Sequence, residues 1–177
     1  MNRPEPVRVG LVSLGCAKNL VDSEIMLGSL LERGFQVVND PAQAQVLVVN
    51  TCSFIDAAKQ ESIDAVLESA EVRDAHHRGQ ALVVAGCLTQ RFPDELPRLL
   101  PEVDAFVGID QVNRMPELVE QALARRARKQ HAPPSSPRRA SPAAAPPPVT
   151  AVTRRPRYIP DYRSEEHTSE LQSPNTI

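Results

Sequence analysis

Hydrophobic residues in this chain gather into short unbroken runs separated by amphipathic stretches. Residues 9–14, 46–49 and 81–85 are rich in Val and Leu and lack helical periodicity, the pattern of strands buried on both faces. Shorter runs of the same kind lie at 35–38 and 105–108. Between them the period changes. After Cys16, the positions of Ile25, Met26, Leu27, Leu30 and Leu31 predict a helix, capped by Asn19 or Asp22 and ended by Gly34. A second helix over about 56–74 carries Ile63, Val66, Leu67 and Ala70 as its buried stripe. A short helix is expected from Pro93-Asp94-Glu95-Leu96, and a last one over 111–129. Alternating buried strands and helices predict an α/β fold: a single three-layer domain with a mostly parallel sheet.

Three cysteines, Cys16, Cys52 and Cys87, each follow one of the three longer runs. In an open parallel sheet, ligands bind outside the carboxyl ends of the strands. The three thiols are therefore expected to converge at the C-terminal strand edge. A single free cysteine is often only a small buried apolar residue, but three at equivalent positions point to one soft-ligand site. The odd count argues against a disulfide framework. Structural zinc takes four ligands, and His76 and His77 fall in a polar helix-end segment, away from any strand end. Thiolates suit iron–sulfur clusters, usually four at a time. Three would leave one iron with an open position.

Around these cysteines, Asn19 and Asn50 stand where an amide can hydrogen-bond sulfur. Asn50 can equally satisfy a backbone group at its strand end. Lys18 is placed to favour the Cys16 thiolate, although an exposed lysine is the ordinary outcome. Asp22 and Glu24 suit a helix N-terminus, and Ser13 and Ser53 suit turns or caps.

Three motifs carry a resemblance. Ser13-Leu14-Gly15-Cys16-Ala17-Lys18-Asn19-Leu20-Val21-Asp22-Ser23-Glu24, Asn50-Thr51-Cys52-Ser53-Phe54-Ile55-Asp56 and Gly86-Cys87-Leu88 resemble, in order and spacing, the opening motifs of the methylthiotransferase family. The resemblance spans about residues 7–123. Within the family, the runs after Cys16 and Cys52 look like the branch that modifies a ribosomal protein (RimO-type) more than the tRNA-modifying branch. The resemblance implies a radical S-adenosylmethionine enzyme with two [4Fe-4S] clusters. Its N-terminal domain holds the auxiliary cluster through three cysteines, matched here by Cys16, Cys52 and Cys87. The second cluster, with S-adenosylmethionine, sits in a following domain on a Cys-x3-Cys-x2-Cys loop, and a small C-terminal β-barrel helps to bind the target. For the RimO-type branch, that target is an aspartate of a small-subunit ribosomal protein. A tRNA adenosine methylthiotransferase fragment and a non-catalytic iron–sulfur or partner-binding module stay open as alternatives, as does a plain α/β domain without metal.

This chain contains no Cys-x3-Cys-x2-Cys and no cysteine after Cys87. It is therefore expected to lack the radical and β-barrel domains, to bind at most one cluster and to be inactive alone. Composition adds a boundary. Residues 130–160 hold nine of the 17 prolines, and 121–160 hold nine Lys or Arg with no Asp or Glu. Such sequence reads as a semi-stiff linker, so the expected parts are a domain at 7–129, a Pro/Arg-rich linker at 130–162 and a tail at 163–177. Linker and tail are expected to be disordered. The tail resembles a translated sequencing-adapter run and is set aside as non-native. Without it, acidic and basic residues balance. No run of about 18 apolar residues is present and no signal-peptide pattern opens the chain, so no membrane span and a cytoplasmic, thiol-preserving location are expected.

Overall fold

The computed structural model describes residues 5–131 and 147–153. Six parallel strands form one sheet: β1 (Arg8–Ser13), β2 (Gln36–Val38), β3 (Val46–Thr51), β4 (Ala81–Gly86), β5 (Ala105–Val107) and β6 (Val149–Ala151). Their order across the sheet is β2-β1-β3-β4-β5-β6. The chain moves outward from β1 to β2, then returns past β1 to build the other side. The reversal leaves a switch point between β1 and β3, where the connections leave on opposite faces of the sheet.

Side-chain alternation decides the layers. Val46 and Val48 of β3, Ala81, Val83 and Ala85 of β4, and Ala105 and Val107 of β5 face one core. That core is closed by Met26 and Leu30 of helix α1 (Ala17–Glu32) and Met115, Leu118, Val119 and Ala122 of helix α5 (Met115–His131). Leu47, Val49, Leu82, Val84 and Phe106 face the other core. There, Val66 and Ala70 of helix α2 (Asp56–His76) cover them, with Leu88 of helix α3 (Cys87–Arg91) and Leu96 of helix α4 (Leu96–Leu99). Strands covered on both faces must be apolar throughout, and β3 and β4 are buried at every position.

Four expectations are corrected. Asn19 and Asp22 do not cap α1. The helix starts at Ala17 with Cys16 in the cap position, and both residues lie on its buried face. Of the expected α2 stripe, Val66 and Ala70 are buried, but Leu67 is 39% exposed. The buried line runs through Ser62, Val66, Ala70 and Arg73, because polar side chains at both of its ends have backbone partners. The short helix expected from Pro93 begins at Leu96, and a separate helical turn begins at Cys87 itself.

The fourth correction concerns the Pro/Arg-rich segment. Within it, Val149–Ala151 is a strand paired with β5, Val149 opposite Ala105 and Ala151 opposite Val107. Val149 and Ala151 pack against the first core, so this piece is part of the sheet and not linker. Residues 132–146 and 154–162 of that segment, and the tail at 163–177, lie outside the described residues. No helix among the described residues is long and apolar enough to cross a membrane.

Candidate metal centre

The ends of β1, β3 and β4 stand side by side, with Ser13 opposite Asn50 and Thr51 opposite Gly86. Cys16, Cys52 and Cys87 follow those ends, and all three line one cavity of about 480 Å³. The convergence expected at the C-terminal strand edge is what the fold produces. Cys16 and Cys52 flank the switch point, and Cys87 closes the cavity from the β4 side.

Two glycines make the approach possible. Gly15 and Gly86 each precede a cysteine, and both have φ of +100°. Gly86, with ψ of −159°, lies in backbone space open essentially only to glycine. A Cβ on Gly15 would stand 2.5 Å from Cys52 Cβ and 2.9 Å from its Sγ. A Cβ on Gly86 would stand 2.4 Å from both Asn50 Oδ1 and the Thr51 carbonyl. Any larger residue at either place would push the cysteine loops apart.

Asn19 joins the three loops. Fully buried on α1, its Nδ2 donates to the Leu14 carbonyl at 2.7 Å and to the Thr51 carbonyl at 2.9 Å. Its Oδ1 faces Cys87 Sγ at 3.7 Å, close enough to accept a weak S–H bond. One side chain thus touches the chain before Cys16, the chain before Cys52, and the thiol of Cys87. Asn50 supports it from behind, donating to the Asn19 carbonyl at 2.8 Å and to Ser23 Oγ at 2.9 Å. Asn50 thus binds a carbonyl of α1 and a serine hydroxyl, and its buried Oδ1 has no hydrogen-bond partner among the described residues. Lys18 lines the cavity and pairs with Asp22 at 2.9 Å. Ser13 is hydrogen-bonded to Ser23.

Each thiol has a different environment. Cys16 is exposed, and the backbone N–H groups of Asn19 and then Lys18, at the open end of α1, hold its pKa below the usual thiol value. Burial pushes the Cys87 thiol up, against the pull of Lys18. Cys52 is buried, and Ser62 grips its backbone twice. The Ser62 hydroxyl accepts from the Cys52 N–H at 3.0 Å and donates to its carbonyl at 2.9 Å.

Gln90 and Arg91 also line the cavity. Arg91 donates to the Ser53 carbonyl at 3.0 Å, tying α3 to the loop that carries Cys52. Sequence reading missed Ser62, Gln90 and Arg91. The only available signal was that Gln90 and Arg91 follow Cys87 within about one helical turn. His76 and His77 sit at the far end of α2, just ahead of β4, and take no part.

Among the described residues, no three His, Cys, Asp or Glu side chains are close enough together to hold one metal ion. A cubane makes a different demand, since it spreads its thiolates over separate irons and takes them wider apart than a single ion does. Three thiols around an open cavity, with no fourth cysteine in the chain, fit that donor set.

Residues 8–108 match the family described as "Uncharacterized protein family UPF0004". The chain belongs to that family. It is also 57% identical over 122 residues to the ribosomal protein uS12 methylthiotransferase RimO of Akkermansia muciniphila, a match covering 68% of this chain and 27% of that protein. Against the protein of that name from Symbiobacterium thermophilum, the identity is 54% over 129 residues, covering 73% and 26%. The one from Opitutus terrae is 43% identical over 159 residues, covering 88% and 31%. A match that long runs through Val149–Ala151 wherever it begins. The chain spans between a quarter and a third of the length of these relatives.

Proposed function

We propose that this chain is the auxiliary-cluster domain of a radical S-adenosylmethionine methylthiotransferase that modifies an aspartate side chain of a small-subunit ribosomal protein. The names carried by its relatives support the reaction and the class of target. The observation that carries the site is the placement of three thiols on one sheet edge, around one cavity, at the switch point.

On this reading, Cys16, Cys52 and Cys87 hold one [4Fe-4S] cluster. When bound, the cluster supplies an iron with an open position at which sulfur can be delivered. The chain's own residues set the terms. Cys16, its thiolate favoured by the end of α1, is the accessible first ligand. Cys52, fixed through Ser62, is the inner one. Cys87 gives up its contact with Asn19 Oδ1 when it loses its proton. Asn19 keeps the loops in register, and Lys18 and Arg91 bring positive charge to a cavity that would hold three thiolates.

Radical generation belongs to a second cluster with its own three cysteines, and this chain has only the three already assigned. The 177-residue chain is therefore proposed to act in a reducing, cytoplasmic setting as one part of a larger enzyme, and to be inactive alone. Anaerobic reconstitution with iron and sulfide tests this. The expected result is about one cubane per chain, most of it lost in Cys52→Ala, and no reductive cleavage of S-adenosylmethionine. Full iron retention in Cys52→Ala removes the ligand assignment, and cleavage by the purified chain removes the rest.

A further inference from the structure

Cys87 depends on a very short element. Helix α3 has five residues and begins at Cys87 itself, too few to be stable without outside support. Leu88 and Thr89 are buried beneath it, but they do not fix its outer side. Gln90 does. Its Nε2 donates to the Thr153 carbonyl at 2.7 Å, and its Oε1 accepts from the Ile109 N–H at 3.2 Å. Thr153 lies two residues beyond β6, and Ile109 lies two residues beyond β5.

The segment around β6 is itself held at both ends. At its entry, Arg125 Nε donates to the Pro147 carbonyl at 2.9 Å, and the Val149 N–H donates to the Asp104 carbonyl at 3.0 Å. At its exit, the Gly108 N–H donates to the Ala151 carbonyl at 2.8 Å, and Gln111 Nε2 reaches Thr153 Oγ1 at 3.2 Å. Because β6 is parallel to β5, its exit lies at the same sheet edge as the cysteines. Gly108 leaves room for the arrangement. A Cβ there would come within 2.4 Å of Gln90 Oε1 and 3.3 Å of Val152 Cα.

We propose that Gln90 is a positioning residue, and that with residues 149–153 it forms a latch holding Cys87 in register with Cys16 and Cys52. The Pro/Arg-rich segment thereby braces the cluster cavity from behind, through Gln90, and its described residues contribute no ligand and no lining of their own. The latch acts through Cys87 and touches no reacting atom. This proposal rests on the cluster reading above, and the test separates the two.

In the full chain, Gln90→Ala removes both hydrogen bonds, and Gly108→Ala displaces the Gln90 amide by contact while leaving its chemistry intact. The first readout uses metal-free protein: the rate at which iodoacetamide modifies each cysteine, read by mass spectrometry. The second uses reconstituted protein: the rate at which a chelator strips iron, followed by visible absorbance, with the electron paramagnetic resonance signal of the reduced cluster. Both variants are expected to show faster modification of Cys87, with Cys16 unchanged, and iron loss about tenfold faster, the scale on which groups behind metal ligands act. They are also expected to give a shifted or broadened resonance and nearly unchanged thermal unfolding. Gly108→Ala decides the matter should Gln90→Ala fail to fold. An unchanged Cys87 rate, or unchanged iron retention, overturns the latch. Failure of the wild-type chain to take up iron overturns the cluster reading instead, and the Cys87 rate still reports on the latch.

Discussion

At the scale of single residues, two glycines with similar φ make unequal demands. Gly34, at the end of α1, has φ of +83° and nothing within 4 Å of a Cβ. Gly34→Ala is expected to cost only the left-handed backbone term, about 1–2 kcal/mol. Gly86 adds a collision with the Thr51 backbone and the Asn50 amide, neither of which yields without moving β3. Gly86→Ala is expected to cost clearly more, about 3 kcal/mol or above, with denaturant unfolding as the measurement. Equal costs would show that the cysteine loops have slack. Thiol chemistry gives a second residue-scale prediction. Alkylation needs the thiolate, so a lowered pKa raises its rate at neutral pH and a raised pKa depresses it. Cys16 should reach half its maximal rate below the pH for free cysteine, and Cys87 above it. The same ordering at both sites would contradict the contrast between the end of α1 and the half-buried wall.

Among elements, the edge of the sheet away from the cysteines carries a buried ionic junction. Asp104, fully buried just ahead of β5, accepts from the Leu82 N–H at 3.0 Å. It also meets Arg125 at 2.7 Å, Lys129 at 3.4 Å and Arg73 at 3.7 Å. One carboxylate thus joins α2, α5, β4 and β5, with two nearly inaccessible guanidinium groups around it. Removing one partner of a buried pair leaves the other charge uncompensated, which costs about 3–5 kcal/mol. Asp104→Ala is expected to lose that much in chemical denaturation, a large share of an ordinary domain's stability. A loss below about 1 kcal/mol would mean that water reaches the junction.

Asp74, near Arg73 and Arg126, offers the exposed comparison. Partial burial pulls its pKa up, but the two arginines outweigh it and hold the carboxyl below 3.8. Its folded pKa is depressed, so its stabilisation is present above the unfolded value and lost as pH falls through the folded one. Asp74→Asn should therefore unfold slightly more easily than the native chain at pH 7, and the gap should close as the pH falls below the ordinary carboxylate range. A gap that widened in acid would reverse the sign.

Across the whole molecule, two cores share a single sheet, since each of β3, β4 and β5 contributes side chains to both. Neither layer can separate without exposing the back of the other, so one cooperative transition is expected for the described domain. Cys52 is the internal reporter, only 3% exposed. Its alkylation in urea should follow the loss of circular dichroism, whereas Cys16 reacts ahead of unfolding. Modification of Cys52 well before the global transition would reveal local opening of the β3 end.

The apolar runs and the spacing of Cys16, Cys52 and Cys87 were enough to predict a parallel α/β sheet with three thiols at its C-terminal edge. These are short-range properties: a strand buried on both faces has to be apolar throughout, and a cysteine after it has to emerge at the strand's end. Helix boundaries were legible to within a few residues for the same reason. The contacts among the three thiol loops were not legible. Asn19 sits 32 and 68 residues from its partners Thr51 and Cys87, and Gln90 sits 63 residues from Thr153. Polar side chains carry no periodic signal that names their partners, so these contacts exist only once the strand order has brought the loops together. The same holds for Asp104, whose surrounding cations, Arg73, Arg125 and Lys129, come from α2 and α5. It holds most clearly for β6, three residues among prolines that become a strand because β5 has an unpaired edge and Arg125 anchors the chain beside it.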